Sequence, residues 1–353
     1  MDKLPWMIYG ANGYTGRRIA EEAVARGGRP ILAGRNVREI GSLAERWGCP
    51  SRVFALEDRR QAVEQLQGVP AVLHCAGPFS ATGEPMMNAC LEAGVNYLDI
   101  TGEIAVIEAA AARQDRALQA GVSLLPAVGF DVVPSDCLAA MLAERVPEAR
   151  QLQLAFTIGS RIGPGTARTM LEGLAGGGRA RVAGRVVPVP LAWKTMAVPF
   201  RHGIRPAATI PWGDVASAWY TTGIPNIEVY AAMPQWQITL LRRLRSVFAL
   251  LRVPGVRRPL RYVLRQSLTR RGYLGPESGR ASLWGRASDG RDHVVEATLE
   301  TPEAYRLTVL TALAAVEQVL ARGVPPGFWT PARAFGPQFI MTIPENDLRW
   351  ERT

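Results

Sequence analysis

Three glycines, Gly10, Gly13 and Gly16, follow directly on a short apolar run from Trp6 to Tyr9, and a helical pattern follows them. The loop reads Gly10-Ala-Asn12-Gly13-Tyr14-Thr15-Gly16. Glycine permits a tight turn and lets the backbone approach an anion. A helix that starts at the same point offers unpaired N–H groups and the positive end of its dipole. Strand, glycine loop and helix in this order fit a dinucleotide pyrophosphate, so the whole loop is assigned to cofactor binding. The second apolar run ends Leu32-Ala33-Gly34-Arg35-Asn36. A site for NAD places an acid there for the ribose hydroxyls, whereas an arginine cannot accept from a hydroxyl but can grip a 2′-phosphate with its planar fork. Arg35 therefore points to NADP(H), with an ordinary surface arginine as the alternative. Asp58, after the third run, has two readings: a reach to the adenine, or the cap of the helix EDRRQAVEQL.

Further chemistry-bearing residues stand where later strands should end. His74, Cys75, Ala76, Gly77 and Pro78 close the fourth run; Tyr97, Asp99, Thr101 and Glu103 surround the end of the fifth; Asp131, Ser135 and Asp136 follow the sixth. Residues at the carboxyl ends of parallel strands border the ligand crevice, so both later groups are expected to face it. Tyr97 and Asp131 are taken as the candidate catalytic residues. Carboxylates in such a crevice can orient a cationic amine or shuttle protons; the alternative is that they cap helices and fix loops. The chain has only Lys3 and Lys194, and Pro190 stands four places before the latter, so a tyrosine–lysine hydride-transfer pair is excluded and a Schiff base is disfavoured. His74 reads as a strand-end structural histidine unless a partner activates it, and His202 and His293 have weaker claims. Cys49, Cys75, Cys90 and Cys137 form no metal or disulfide pattern, so no metal is expected and a reducing, cytoplasmic compartment is.

Taken in order, GANGYTG, AGR, HCAGPF, AGVNYLDITGE and VGFDVVPSD resemble the saccharopine dehydrogenase-like NADP-binding family, which includes bacterial members described as trans-acting enoyl reductases. The resemblance is strong over residues 6 to 140 and continues more loosely through GPESGRA, TPEAYRLTVLTAL and GFWTPARAFG. It implies that Cys75 to Phe79 line the nicotinamide side of an NADP cofactor. It also implies a chain that crosses to a second domain and returns, so that a helix over Glu303 to Ala321 packs on the first. The implied activity is an NADP(H)-dependent oxidoreductase acting on a C=C or C=N bond of a small-molecule substrate. One departure matters. Cys137 follows Asp136 where the lysine-pathway saccharopine reductases carry a histidine, so saccharopine is not the expected substrate. Trp193, Trp212, Trp219, Trp236 and Trp284 would suit an apolar or acyl substrate, or simply fill a core. Two non-enzymatic readings stay open: an NADP-binding scaffold at a membrane without turnover, and a lipid-surface protein whose Rossmann domain is structural.

The elements that must hold these residues are legible from periodicity. From Trp6 to about Leu125, short apolar runs alternate with amphipathic stretches, the pattern of β-α repeats and a parallel sheet. The fold class expected is α/β: an N-terminal Rossmann domain with a parallel sheet, plus an α+β substrate-side domain with a largely antiparallel or mixed sheet. The domains are set at 1–130, 131–300 and a returning segment 301–353. A hairpin is expected from ASLWGRA and HVVEATLE around Asp289-Gly290. With 353 residues and 48% hydrophobic side chains the chain can bury a full core, and no apolar stretch reads as a signal peptide or membrane span. The net charge of +10 is concentrated: residues 236–271 hold ten arginines and no acid. Ile238, Leu241, Leu244, Phe248 and Leu251 recur there at helical spacing, so this segment lies either against an anionic membrane surface or as an amphipathic pair packed on the second domain. Nucleic acid is not expected, since no reading motif accompanies the charge. A homodimer is left open.

Overall fold

The structure, a computed structural model, describes residues 5–157, 177–243, 245 and 279–351. Contacts divide the chain into two units, Met1–Val133 with Tyr305–Ile343, and Pro134–Ala304 with Pro344–Thr353.

In the first unit every apolar run of the β-α pattern becomes a strand: β1 (Met7–Tyr9), β2 (Ile31–Gly34), β3 (Ser51–Val53), β4 (Ala71–His74), β5 (Asn96–Asp99) and β6 (Ser123–Leu125). Helices α1 (Tyr14–Ala25), α2 (Val37–Trp47), α3 (Arg59–Leu66), α4 (Phe79–Ala93), α5 (Ile104–Ala111) and α6 (Gln114–Ala120) connect them. The all-parallel order β3-β2-β1-β4-β5-β6 reverses direction between β1 and β4, and a crevice opens at such a switch point beyond the carboxyl ends of the strands. Strands β1, β2, β4 and β6 are buried along their whole length, which is why they read as continuous apolar runs rather than alternating ones. Helix α4 opens at Phe79, and Glu84 pairs with Arg113 from within it.

The returning helix is present. Ala304–Arg322 buries Leu307, Leu313, Val316 and Val319 in its own unit, and Thr311 Oγ1 donates to Val128 O at 2.8 Å. It is long and apolar enough to cross a membrane, yet half of that window is buried within the protein. After it, β15 (Gly327–Phe328) adds a parallel strand beside β6. The remaining tail behaves differently from the single returning segment drawn at 301–353: β16 (Asp347–Trp350) belongs to the second unit, where it pairs antiparallel with residues 297–300.

In the second unit, helix α7 (Val133–Arg145) leads to β7 (Gln151–Thr157), β8 (Gly178–Val182), β9 (Arg185–Val189), β10 (Thr195–Phe200), β11 (Gly203–Thr209), α8 (Asp214–Thr222), β12 (Asn226–Ala232) and α9 (Gln235–Arg243). The hairpin β13 (Ala281–Ser288) and β14 (Val294–Thr301) follows. The sheet is mixed: β12 runs parallel to β7, and the other pairings are antiparallel. One face packs on α7, where a Cβ on Gly285 would fall 2.6 Å from Leu142 Cδ1. The other gathers Trp284, Phe200, Val198 and Tyr230 into a core. Trp284 and Trp212 are thus core residues, at 1% and 8% exposure. Of the basic segment 236–271, the part beyond Arg243, Arg245 apart, lies outside the described residues. In the part within them Ile238 is buried and packs with Ala192 and Ala208, with Leu241 against the same cluster. That stretch of the apolar line faces protein.

Candidate functional site

The phosphate loop is shaped by two glycines that tolerate no side chain. Gly10 ends β1 at φ +86°, where a Cβ would sit 2.7 Å from Ala76 N; a Cβ on Gly16 would sit 2.2 Å from Gly10 O. Gly13 stands at the N-cap of α1, and no side chain caps that terminus. The N–H groups of its first turn therefore lack intrahelical acceptors, the cradle a pyrophosphate needs. Asn12 is fixed by a bond from its Nδ2 to Glu39 Oε2 at 2.7 Å, and Asn36 Nδ2 donates to Glu39 Oε1 at 2.7 Å. Tyr14 is 52% exposed and meets Tyr305 edge-on, while Thr15 is half-buried beside it.

Arg35 leaves the end of β2 largely exposed, with Nη1 3.8 Å from Glu57 Oε1. A solvated pair at that distance is worth about 0–1 kcal/mol, so it offers little competition to a phosphate. Asp58 accepts from Gln61 N at 3.1 Å and is the N-cap of α3, the second of its two readings.

On the far side of the switch point, β4 ends in a laced turn. His74 is fully buried, and burial holds its pKa down to about 3, so the ring is neutral. The Thr82 hydroxyl donates to Ala76 O at 2.7 Å and lies 3.0 Å from His74 Nε2. With that hydroxyl proton spent, we assign the His74 proton to Nε2, donating to Thr82. The structural reading of His74 holds. Cys75 is pushed to a high pKa, first by burial and then by Asp99, which keeps it a thiol. Gly77-Pro78 is a cis peptide.

Two carboxylates tie this turn to the exits of β5 and β6. Glu103 Oε1 accepts from Phe79 N and Oε2 from Ser80 N, both at 2.9 Å, at the start of α4. Asp99 Oδ2 accepts from the Tyr97 hydroxyl at 2.6 Å; its Oδ1 accepts from Thr101 N at 2.9 Å and from Ala127 N at 2.7 Å. The bond to Ala127 holds a non-glycine residue at φ +65°, a conformation that persists where its surroundings over-determine it. Burial lifts the Asp99 pKa to about 6, with the Tyr97 bond opposing.

Asp131 lies on the β6 exit, half-buried, and a Cβ on Gly102 would come within 2.5 Å of its Oδ2. Desolvation first and the Glu103 charge second lift its pKa to about 7. A carboxyl poised near neutrality at the carboxyl edge of β4 to β6 can hold and release a proton there.

The structure thus brings together Cys75, Ala76, Gly77, Pro78, Asp99, Glu103 and Asp131. Tyr97, expected from sequence as catalytic, is fully buried with its hydroxyl spent on Asp99 and its pKa driven well up by burial, so it positions rather than reacts. Within the second unit, Ser135 and Asp136 of α7 bond to Asp214 (2.9 Å) and Thr221 (2.6 Å) of α8. Thr82 and the grip of Glu103 on α4 were not legible in the sequence. The latter pairs groups 24 and 23 positions apart with no local pattern to announce it.

Comparison with known proteins bears on this geometry. Residues 6–125 match the family model described as Saccharopine dehydrogenase NADP binding domain. A saccharopine dehydrogenase-like oxidoreductase of Homo sapiens is 29% identical over 135 residues, 38% of this chain and 28% of the relative. A trans-acting enoyl reductase of Mycobacterium leprae is 33% identical over 162 residues, 43% of this chain and 38% of the relative. The matches thus span well under half of these relatives. In fold, the chain is similar to apo saccharopine dehydrogenase (L-Glu forming) from Saccharomyces cerevisiae, with a TM-score of 0.68 at 11% identity, covering 99% of this chain and 100% of that one.

Proposed function

On the premise that residues 6–125 form a saccharopine dehydrogenase-type NADP-binding domain, we propose that the chain is an NADP(H)-dependent oxidoreductase in which Asp131 exchanges the proton that accompanies hydride transfer. The observation that carries this reading is the half-buried Asp131, lifted to a pKa of about 7, which lies against Gly102 and feels the charge of Glu103, the carboxylate that holds Phe79 and Ser80. The bare Gly10–Gly16 loop fits the pyrophosphate, and the exposed Arg35 fits the 2′-phosphate. When bound, the cofactor supplies or accepts the hydride. The protein's part is to hold the nicotinamide edge rigid through Thr82, Glu103 and Asp99, and to keep Asp131 protonated up to about neutral pH.

For the substrate we propose a C=C or C=N bond in an apolar or acyl-type molecule. The relatives described as enoyl reductases support this, whereas the core positions of Trp284 and Trp212 withdraw two of the aromatic residues that would have argued for it. The test is a titration of NADPH and NADH against wild type and Arg35→Ala, followed by NADPH consumption over unsaturated acyl thioesters and imines. Loss of the Arg35 grip is expected to cost NADPH about 1.5–3 kcal/mol and to leave NADH nearly unchanged. Equal wild-type affinities would remove the NADP assignment, and no consumption with any acceptor would remove the enzymatic one.

A membrane partner is a separate proposal, favoured by α9. Trp236 and Leu240, one turn apart, are 65% and 46% exposed. The segment they begin carries ten arginines without an acid. Together these suit an anionic lipid surface, at about 1 kcal/mol per basic residue near it and with strong salt sensitivity. Sedimentation with anionic vesicles, released by salt and weakened in Trp236→Ala/Leu240→Ala, is the expected result. Equal binding to neutral vesicles, or none to anionic ones at low salt, contradicts it.

A further inference from the structure

We infer that Glu103 is a positioning residue that joins the cofactor edge to the proton donor: one carboxylate clamps the turn at Phe79 and Ser80 and presses its charge on Asp131. The inference rests on the reading of Asp131 given above and extends it to a residue that touches neither substrate nor reacting atoms.

The argument is geometric. Glu103 does not lie on the turn it holds. It reaches from the β5 exit to two successive N–H groups of α4, both at 2.9 Å, one for each carboxylate oxygen. An aligned pair of charge-assisted bonds fixes both the distance and the rotation of the Gly77–Ser80 turn, which one bond could not. Glu103 is itself held, because its N–H donates to Thr101 Oγ1 at 3.0 Å and Thr101 N donates to Asp99 Oδ1 at 2.9 Å. The same Asp99 oxygen accepts from Ala127 N on the β6 exit. Three strand exits are therefore connected through two carboxylates.

Asp131 closes this circuit by proximity. Its Oδ2 lies where a Cβ on Gly102 would approach to 2.5 Å, so it sits against the residue immediately before Glu103, and only glycine leaves it room. Glu103 acts on it electrostatically, and on Asp99 as well. Thr308 Oγ1 of the returning helix accepts from the N–H of Phe130, the residue before Asp131, at 3.0 Å. A carboxylate that accepts from two N–H groups carries its negative charge at the turn, and that charge, added to burial, raises the proton affinity of Asp131. The proton then resides on Asp131. The positioning bond at the turn thereby decides which of the two carboxyls is the acid.

The test uses the full chain without any acceptor. Aspartate side-chain carboxyls are labelled with 13C and titrated by NMR in wild type, Glu103→Gln and Glu103→Asp, with Asp131→Asn to assign the resonance; NADPH affinity is measured alongside. In Glu103→Gln the Asp131 midpoint is expected to fall towards the ordinary carboxylate range, because the neighbouring charge is gone. In Glu103→Asp the charge remains but the reach is shorter, so the midpoint stays raised while NADPH affinity falls several-fold. An unmoved Asp131 midpoint in Glu103→Gln, or unchanged NADPH affinity in Glu103→Asp, overturns the inference. A chain that shows both expected shifts and yet reduces no acceptor would sink the enzymatic reading and leave this coupling intact.

Discussion

At the β1–β2 end of the crevice the groups suited to a cofactor are backbone and one exposed guanidinium: the Gly10–Gly16 loop, the uncapped start of α1, and Arg35 at the end of β2. At the β4–β6 end they are side chains, and nearly all are held by partners from other loops: Thr82 on Ala76, Glu103 on Phe79 and Ser80, Asp99 on Thr101 and Ala127. The first end recognises by shape and fixed charge, which a short stretch of chain can encode. In the proposed reading the second holds a proton, and that takes buried carboxyls whose desolvation is offset by several converging donors. The first end should therefore fail through steric change, and the second through loss of single hydrogen bonds or charges.

The largest expected effect breaks the backbone end. Gly16→Ala would push a Cβ to 2.2 Å from Gly10 O, a backbone atom that can yield only by moving the loop. Overpacking of this kind costs about 1–3 kcal/mol in stability, and the displaced loop is expected to lower NADPH affinity by roughly a hundredfold or more. Calorimetry of binding beside thermal unfolding checks it; full NADPH affinity in this variant would break the claim that the loop is the pyrophosphate cradle.

The next effect belongs to the side-chain end. Tyr97→Phe leaves the buried Asp99 Oδ2 without its 2.6 Å donor. The cost is expected to be about 1–3 kcal/mol by urea unfolding, with NADPH affinity altered much less than in Gly16→Ala. A loss confined to turnover, with stability unchanged, would instead restore Tyr97 as a reacting group.

The smallest effect is a change in pH dependence. Burial and Glu103 raise the Asp131 pKa from 3.8 to about 7, so the folded state holds a proton that the unfolded state has lost between those values. By linkage, stability then falls as pH rises through that window. Asp131→Asn removes the penalty: its Tm is expected to match wild type near pH 4 and to exceed it at pH 8. The same Tm difference at both pH values would mean that Asp131 titrates as an ordinary surface carboxyl.

The same contrast explains what was legible in the sequence. The six strands, the glycine loop and Arg35 follow from local rules, since apolar runs, glycine spacing and the residue after a strand each speak for themselves. The hairpin around Asp289-Gly290 followed likewise. Strands β8, β10 and β11 are not legible, and β11 shows why: its first four residues are exposed and its last three buried, with Pro206 between them, so no alternation of period two announces it. In the site, the position of Asp131 beyond β6 is legible from the sequence, but Tyr97 reads as a reacting group because sequence shows that a hydroxyl is near a strand end and not that a buried carboxylate two residues on takes it. Nor does the sequence announce that Ser135 and Asp136 bond to Asp214 and Thr221, 79 and 85 positions further on.

The most direct test of the central claim is the pH profile of NADPH consumption with an accepted unsaturated acyl or imine substrate, in wild type and Asp131→Asn. The account expects wild-type kcat/KM to be flat below and to fall above a pH of about 7, as the Asp131 proton is lost. In Asp131→Asn it expects turnover reduced by roughly 10²–10⁴-fold, the share a positioned acid contributes, with NADPH affinity retained. Full turnover in Asp131→Asn, with the same fall above that pH, would contradict it.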